Sequence, residues 1–137
     1  MTSNLSGARI LYIEDDANNR ELVKTALEPF DVVLEFDPWA FPEVAPTKVL
    51  RFRPDLILLD LMFPIGTSGF DVYDKLMSYE RFTSIPFIVV SASDPDHNMA
   101  EARKRGMQGY IAKPLNVMTF PKHVSSVLDG QQIWIGH

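Results

Sequence analysis

Short apolar runs punctuate the chain at residues 10–13, 32–36, 56–59, 87–90 and 110–112, and each reads as a β-strand. The middle runs, such as Leu56-Ile57-Leu58-Leu59, leave no polar position on either face, which is the pattern of strands covered on both sides. Between the runs lie stretches with helical spacing. That alternation predicts an α/β fold: a doubly wound, five-stranded parallel sheet with helices on both faces.

The helices can be placed from their punctuation. The first follows Asp16 as N-cap, carries Leu22, Val23, Ala26 and Leu27 on one stripe, and stops at Pro29. Another starts after Gly69 with Val72, Tyr73, Leu76 and Met77 at the same spacing, and one begins at Asp94-Pro95 and ends by Gly106. Prolines at 38, 42, 46 and 54 restrict the second helix to residues 47–53, approached by an irregular loop holding Trp39 and Phe41. The last helix runs to about Leu128 and starts either at Asn116 or after Thr119, because Pro121 suits a first turn better than an interior position.

Composition narrows the class. With 137 residues, 46% of them hydrophobic and 23% charged, the chain is long enough for one core and has little room for a second domain. A net charge of -5 argues against a nucleic-acid surface, since its longest basic run is Arg103-Lys104-Arg105 at a predicted helix end. Having no cysteine, the chain lacks disulfides, thiolate metal ligands and a Cys nucleophile. The N-terminal residues do not form a signal peptide and no run is long enough to span a membrane, so a cytoplasmic location is expected.

The candidate chemistry is concentrated at the strand ends. Strand one ends in Glu14-Asp15-Asp16, strand three in Asp60, strand four in Ser91 and strand five in Lys113-Pro114. In a doubly wound sheet these ends share one edge, and ligands bind there where the strand order reverses. With the order 2-1-3-4-5, Glu14, Asp15 and Asp60 converge. Clustered carboxylates repel unless a cation offsets them, and an all-oxygen set suits Mg²⁺ (or Mn²⁺). Asp60, at the end of the most apolar strand, is the candidate nucleophile toward phosphorus. Lys113 and Ser91 can stabilise the charge on a transferring phosphoryl group.

Singly, each residue admits a plainer role. The acidic trio can be a helix start, Asp60 a cap, Ser91 a turn residue, Lys113 a solvated charge, and Tyr110 a half-buried strand residue with its hydroxyl in water. What favours the site is that four separate strand ends carry compatible groups.

Those groups have recognisable surroundings. They are Arg9-Ile10-Leu11-Tyr12-Ile13-Glu14-Asp15-Asp16 with Asn19-Arg20-Glu21-Leu22, Pro54-Asp55-Leu56-Ile57-Leu58-Leu59-Asp60-Leu61-Met62 with Pro64, Ser91-Ala92, and Gly109-Tyr110-Ile111-Ala112-Lys113-Pro114. In this order they closely resemble the response-regulator receiver family of two-component systems, across residues 8–128. The resemblance implies a flavodoxin-like (βα)5 receiver domain at 8–129, with an extension at 1–7 and a tail at 130–137. It implies a metal held by Glu14, Asp15, Asp60 and the backbone carbonyl of Met62, with Asp60 as phosphoacceptor. Lys113 would be the phosphate partner, Ser91 and Tyr110 the switch pair, and Lys113–Pro114 a cis bond.

The implied function is a stand-alone signalling switch that catalyses its own phosphorylation and dephosphorylation without being an enzyme in the turnover sense. The donor would be a histidine kinase or histidine phosphotransfer protein, and the output a contact with an unidentified downstream protein, made as a monomer or a phosphorylation-linked homodimer.

Three features depart from the family pattern: four residues, Ile65-Gly66-Thr67-Ser68, between Pro64 and Gly69 where three are usual; the proline-broken second helix; and the tail with Ile133-Trp134-Ile135, which suggests docking or a dimer contact. Trp39, Phe41 and the tail are either partner surfaces or segments folded back on the domain. A haloacid-dehalogenase-type phosphatase would want an acid where Met62 stands, and a flavin site a hydroxyl-rich loop where Glu14-Asp15-Asp16-Ala17-Asn18 stands. The alternative that remains is a receiver fold used as a binding or dimerising module without phosphorylation.

Overall fold

The computed structural model describes residues 3–39, 41–63 and 66–136. Pro64 and Ile65, both part of the family pattern and its departures, lie outside the described residues, as does His137 of the tail. The strands are β1 (Arg9–Ile13), β2 (Val33–Asp37), β3 (Leu56–Leu59), β4 (Phe87–Ser91), β5 (Gly109–Ala112) and β6 (Ile133–Ile135). The helices are α1 (Ala17–Leu27), α2 (Ala45–Phe52), α3 (Gly69–Met77), α4 (Pro95–Lys104) and α5 (Phe120–Leu128).

The strands form one parallel sheet in the order β2-β1-β3-β4-β5-β6, so the expected 2-1-3-4-5 core is present with one strand added. Alternate residues of β1, β3 and β4 feed two separate cores, as a period of two demands. Leu11, Ile57 and Val89 pack with α2, α3 and α4, whereas Ile10, Leu58 and Val90 pack with α1 and α5.

Helix limits reflect local chemistry. Asp16 caps α1 by accepting the Asn18 N–H at 2.9 Å. Ser68 and Asp71 form a reciprocal capping box at α3. The second helix begins two residues earlier than the sequence suggests, because Pro46 occupies the first turn, where a missing N–H has no partner to lose. It ends one residue earlier, at Phe52, because Arg53 turns left-handed (φ 57°) and donates its N–H to Val49 O at 2.8 Å. The last helix takes the later of its two possible starts, with Pro121 in its first turn.

The tail adds a sixth short strand to the five expected ones. Ile133-Trp134-Ile135 folds back as β6, pairing with Gly109-Tyr110-Ile111. Gly109 permits this, since a Cβ there would stand 2.9 Å from Ile133 Cγ1. Trp134 lies under the Arg103 guanidinium of α4, 4.4 Å from its ring centroid, while Ile133 and Ile135 join the α1–α5 core. In the loop after β2, Trp39 stacks on Phe41 and remains 65% exposed.

Candidate functional site

Parity explains which side chains meet at the carboxyl edge of the sheet. On β1, Tyr12 and Glu14 lie two residues apart and so point to one face, the α1–α5 side that Ile10 and Tyr12 already share. Asp60 continues the Leu56 and Leu58 series on that side, and Lys113 continues Ile111. The register levels them: the Asp60 N–H donates to Ile13 O at 3.0 Å and the Lys113 N–H to Ser91 O at 2.9 Å.

Glu14, Asp15 and Asp60 each offer a carboxylate oxygen within 4.8 Å of the others. Glu14 is fully buried and Asp60 nearly so, while Asp15 is the most open of the three. Asp16, the last of the acidic trio, is spent on capping α1. Lys113 Nζ lies 2.7 Å from Glu14 Oε1 and 3.6 Å from Asp60 Oδ1, and the Leu61 N–H donates to Asp60 Oδ1 at 2.9 Å. These groups border a cavity of about 430 Å³, which Met62 and Ser91 also line.

Burial, and next the neighbouring Glu14, push the Asp60 carboxyl up to about 7, while Lys113 and the Leu61 N–H pull the other way. A carboxyl with that value is balanced between its two forms near neutrality, and a divalent cation would tip it to the ionised form. The donor set is entirely carboxylate oxygen, which fits a hard ion such as Mg²⁺ or Mn²⁺.

Gly69 brings the loop after β3 close to this centre. A Cβ at Gly69 would collide with the Asp60 carbonyl, and the Gly69 N–H donates to Leu61 O at 3.0 Å. Met62 forms a one-residue bridge with Ser68 and leaves its side chain 66% exposed.

Ser91 and Tyr110 belong to the opposite face and form a second layer. Ser91 Oγ lies 3.3 Å from Ser93 Oγ and accepts the Ser93 N–H at 3.3 Å. The Ser93 carbonyl accepts both the Asn98 amide at 2.6 Å and the Tyr110 hydroxyl at 3.2 Å. Tyr110 is fully buried, so its hydroxyl is not in water, and burial raises its pKa. The Lys113–Pro114 bond is cis, as the resemblance implied.

Sequence reasoning passed over three residues of this region: Tyr12, Ser93 and Asn98. Tyr12 was open to discovery, because a tyrosine two positions before a buried acid on one strand faces the same way as that acid. Ser93 and Asn98 were not, since they act through a loop conformation.

The family model of the response regulator receiver domain matches residues 10–125. The chain belongs to the response-regulator receiver family. As such it is a domain of two-component signalling rather than a member of a conventional enzyme family, and receiver domains interact with histidine kinases. Among characterised receivers, it is 32% identical over 123 residues to the phosphate regulon transcriptional regulatory protein PhoB of Pseudomonas aeruginosa, covering 89% of this chain and 52% of PhoB. It is 30% identical over 78 residues to protein PilH of the same organism, covering 57% of this chain and 64% of PilH. The chain therefore matches about half the length of PhoB and under two thirds of PilH.

Among solved receivers, the BeF3-activated N-terminal receiver domain of Klebsiella pneumoniae RstA superposes with a TM-score of 0.76 at 25% identity, covering 88% of this chain and 97% of that one. The Vibrio cholerae chemotaxis protein CheY4 gives 0.75 at 22% identity over 89% and 99%, a likeness of fold. No helix among the described residues of this receiver is long and apolar enough to cross a membrane.

Proposed function

We propose that this receiver, formed by residues 8–129, is a phosphorylation-dependent switch that accepts a phosphoryl group on Asp60. What supports the reading is the convergence of Glu14, Asp15 and Asp60 within 4.8 Å, with Lys113 beside two of them. Glu14, Asp15, Asp60 and the Met62 carbonyl would hold Mg²⁺ (or Mn²⁺), which when bound offsets the carboxylate charge and that of the incoming phosphoryl oxygens.

In the transfer, a carboxylate oxygen of Asp60 forms the new bond to phosphorus. The donor's P–N bond in a phosphohistidine, or P–O bond in acetyl phosphate, breaks with its electron pair leaving on the donor, and an imidazole leaving group takes up a proton. Lys113 turns from Glu14 to the phosphoryl oxygens as a mobile point cation, and the Ser91 hydroxyl donates to another.

The signal passes through the second layer. When Ser91 turns to the phosphoryl group it releases Ser93, whose carbonyl holds Tyr110 and Asn98, so α4 and β5 respond together. The phosphodonor is a histidine kinase or histidine phosphotransfer protein, and the output is a protein contact.

Incubation with acetyl phosphate and Mg²⁺ and then intact mass measurement tests the reading. Wild type gains one phosphoryl group, lost again with hydroxylamine, and Asp60→Asn gains none. An unmodified wild type would leave the receiver fold as a binding module alone.

A further inference from the structure

One buried polar contact at the site has no part in the phosphoryl transfer just described. The Tyr12 hydroxyl donates to Glu14 Oε1 at 2.8 Å, and both residues have no exposed surface. The same oxygen accepts Lys113 Nζ at 2.7 Å, so two donors occupy one atom. Glu14 Oε2 accepts the Asp16 N–H over 3.4 Å, and the Glu14 carboxylate also meets the Asp60 carboxyl.

The consequence appears when Lys113 turns to a phosphoryl group on Asp60. Its ammonium leaves Oε1, and Glu14 stays buried with its charge. A buried carboxylate oxygen stripped of its donors is costly, and a carboxylate free to rotate is a poor ligand. Tyr12 cannot leave: it sits in the middle of β1, paired to Phe36 of β2 and Leu58 of β3, with its ring 6.3 Å from that of Phe36.

We propose that Tyr12 is a positioning residue for cation binding and phosphoryl transfer. Its hydroxyl fixes Glu14 Oε1 in every state of the cycle, so that the Glu14 carboxylate keeps its place beside those of Asp15 and Asp60 whether or not Lys113 is present. The inference rests on the reading of this cluster as a divalent-cation and phosphoryl site, and adds a fixed neutral donor behind its most buried ligand.

Tyr12→Phe removes the hydroxyl and keeps the ring. Mg²⁺ binding to the unphosphorylated protein, measured by calorimetry, weakens about tenfold, the size typical when the outer partner of a metal ligand is deleted. In acetyl phosphate reactions the Mg²⁺ concentration for half-maximal rate rises by the same factor, whereas the rate at saturating Mg²⁺ changes little. Phe36→Leu loosens packing around the same ring with the hydroxyl retained, and lowers stability while leaving the Mg²⁺ affinity at the wild-type value.

If Tyr12→Phe does not fold, a ring-fluorinated tyrosine at position 12, a stronger donor of nearly the same shape, takes its place and tightens Mg²⁺ binding. An unchanged Mg²⁺ affinity in Tyr12→Phe, or in the fluorinated protein, overturns the assignment, as does an equal loss in Phe36→Leu. Phosphorylated wild type with unaltered Mg²⁺ binding in Tyr12→Phe sinks the role of Tyr12 alone. A tenfold loss of Mg²⁺ affinity in a protein that never takes up phosphate supports Tyr12 and sinks the phosphoacceptor reading.

Discussion

Replacing Asp60 by Asn should make the metal-free protein more stable, although it destroys the proposed phosphoacceptor. The Asp60 carboxyl is displaced from 3.8 to about 7, burial being the main cause and Glu14 the next. A carboxyl whose folded value lies above its unfolded one binds more protons in the folded state between the two, so its contribution is complete below about pH 4 and is lost as pH rises through 7. At ~1.4 kcal/mol per decade, that displacement sets a ceiling of ~4 kcal/mol on the penalty at pH 8. Asn carries no charge and can still accept the Leu61 N–H, so it escapes the penalty and keeps the contact. Urea unfolding in EDTA should show Asp60→Asn level with wild type near pH 4 and ahead by ~2 kcal/mol or more at pH 8, which is roughly 6 °C in Tm for a chain of this size. Saturating Mg²⁺ at a hundred times its Kd adds ~2.7 kcal/mol to wild type and should close the gap. A variant no more stable than wild type at pH 8, or a gap independent of pH, would refute the electrostatic account of the site.

Three further substitutions probe the surroundings. Lys113→Met takes away the cation that lowers the Asp60 carboxyl, so that value should climb beyond about 7 and stability in EDTA should drop more steeply with rising pH than in wild type, checked by thermal melts from pH 5 to 8. Gly69→Ala drives a methyl group into the Asp60 carbonyl and should cost ~1–3 kcal/mol in urea unfolding while weakening Mg²⁺ binding through the displaced strand end. Gly109→Ala places its methyl against Ile133 and should unseat β6, seen as fast hydrogen exchange at 133–135 and a red-shifted Trp134 in a Trp39→Phe background, with Mg²⁺ affinity unchanged.

The core of the fold was legible because it depends on side-chain type alone. Leu56-Ile57-Leu58-Leu59 has no polar face, and a strand of that kind has to lie inside a sheet covered on both sides. The edges were less legible because they depend on fit. Nothing in the apolarity of Ile133-Trp134-Ile135 separates a strand folded back on its own sheet from a contact with another molecule. What decides it is the missing side chain of Gly109, which lets Ile133 approach, and the placing of Arg103 over Trp134. The second helix was shifted for a related reason: Pro46 reads as an interruption until its position in the first turn is known.

At the site, strand-end chemistry identified which groups meet but not how they are paired. The acidic trio reads as one feature in the sequence and becomes three: a buried carboxylate at Glu14, an open one at Asp15 and a helix cap at Asp16. Lys113 reads as a partner for phosphate, and in the structure it rests on Glu14 at 2.7 Å, nearer than Asp60 at 3.6 Å. That preference has a physical cause. The Asp60 carboxyl, pushed up to about 7 by burial and by Glu14, is only partly ionised near neutrality and attracts an ammonium less. The resting position of Lys113 therefore offsets the repulsion within the cluster, and it would make the proposed phosphoryl transfer to Asp60 depend on a competing partner for Glu14.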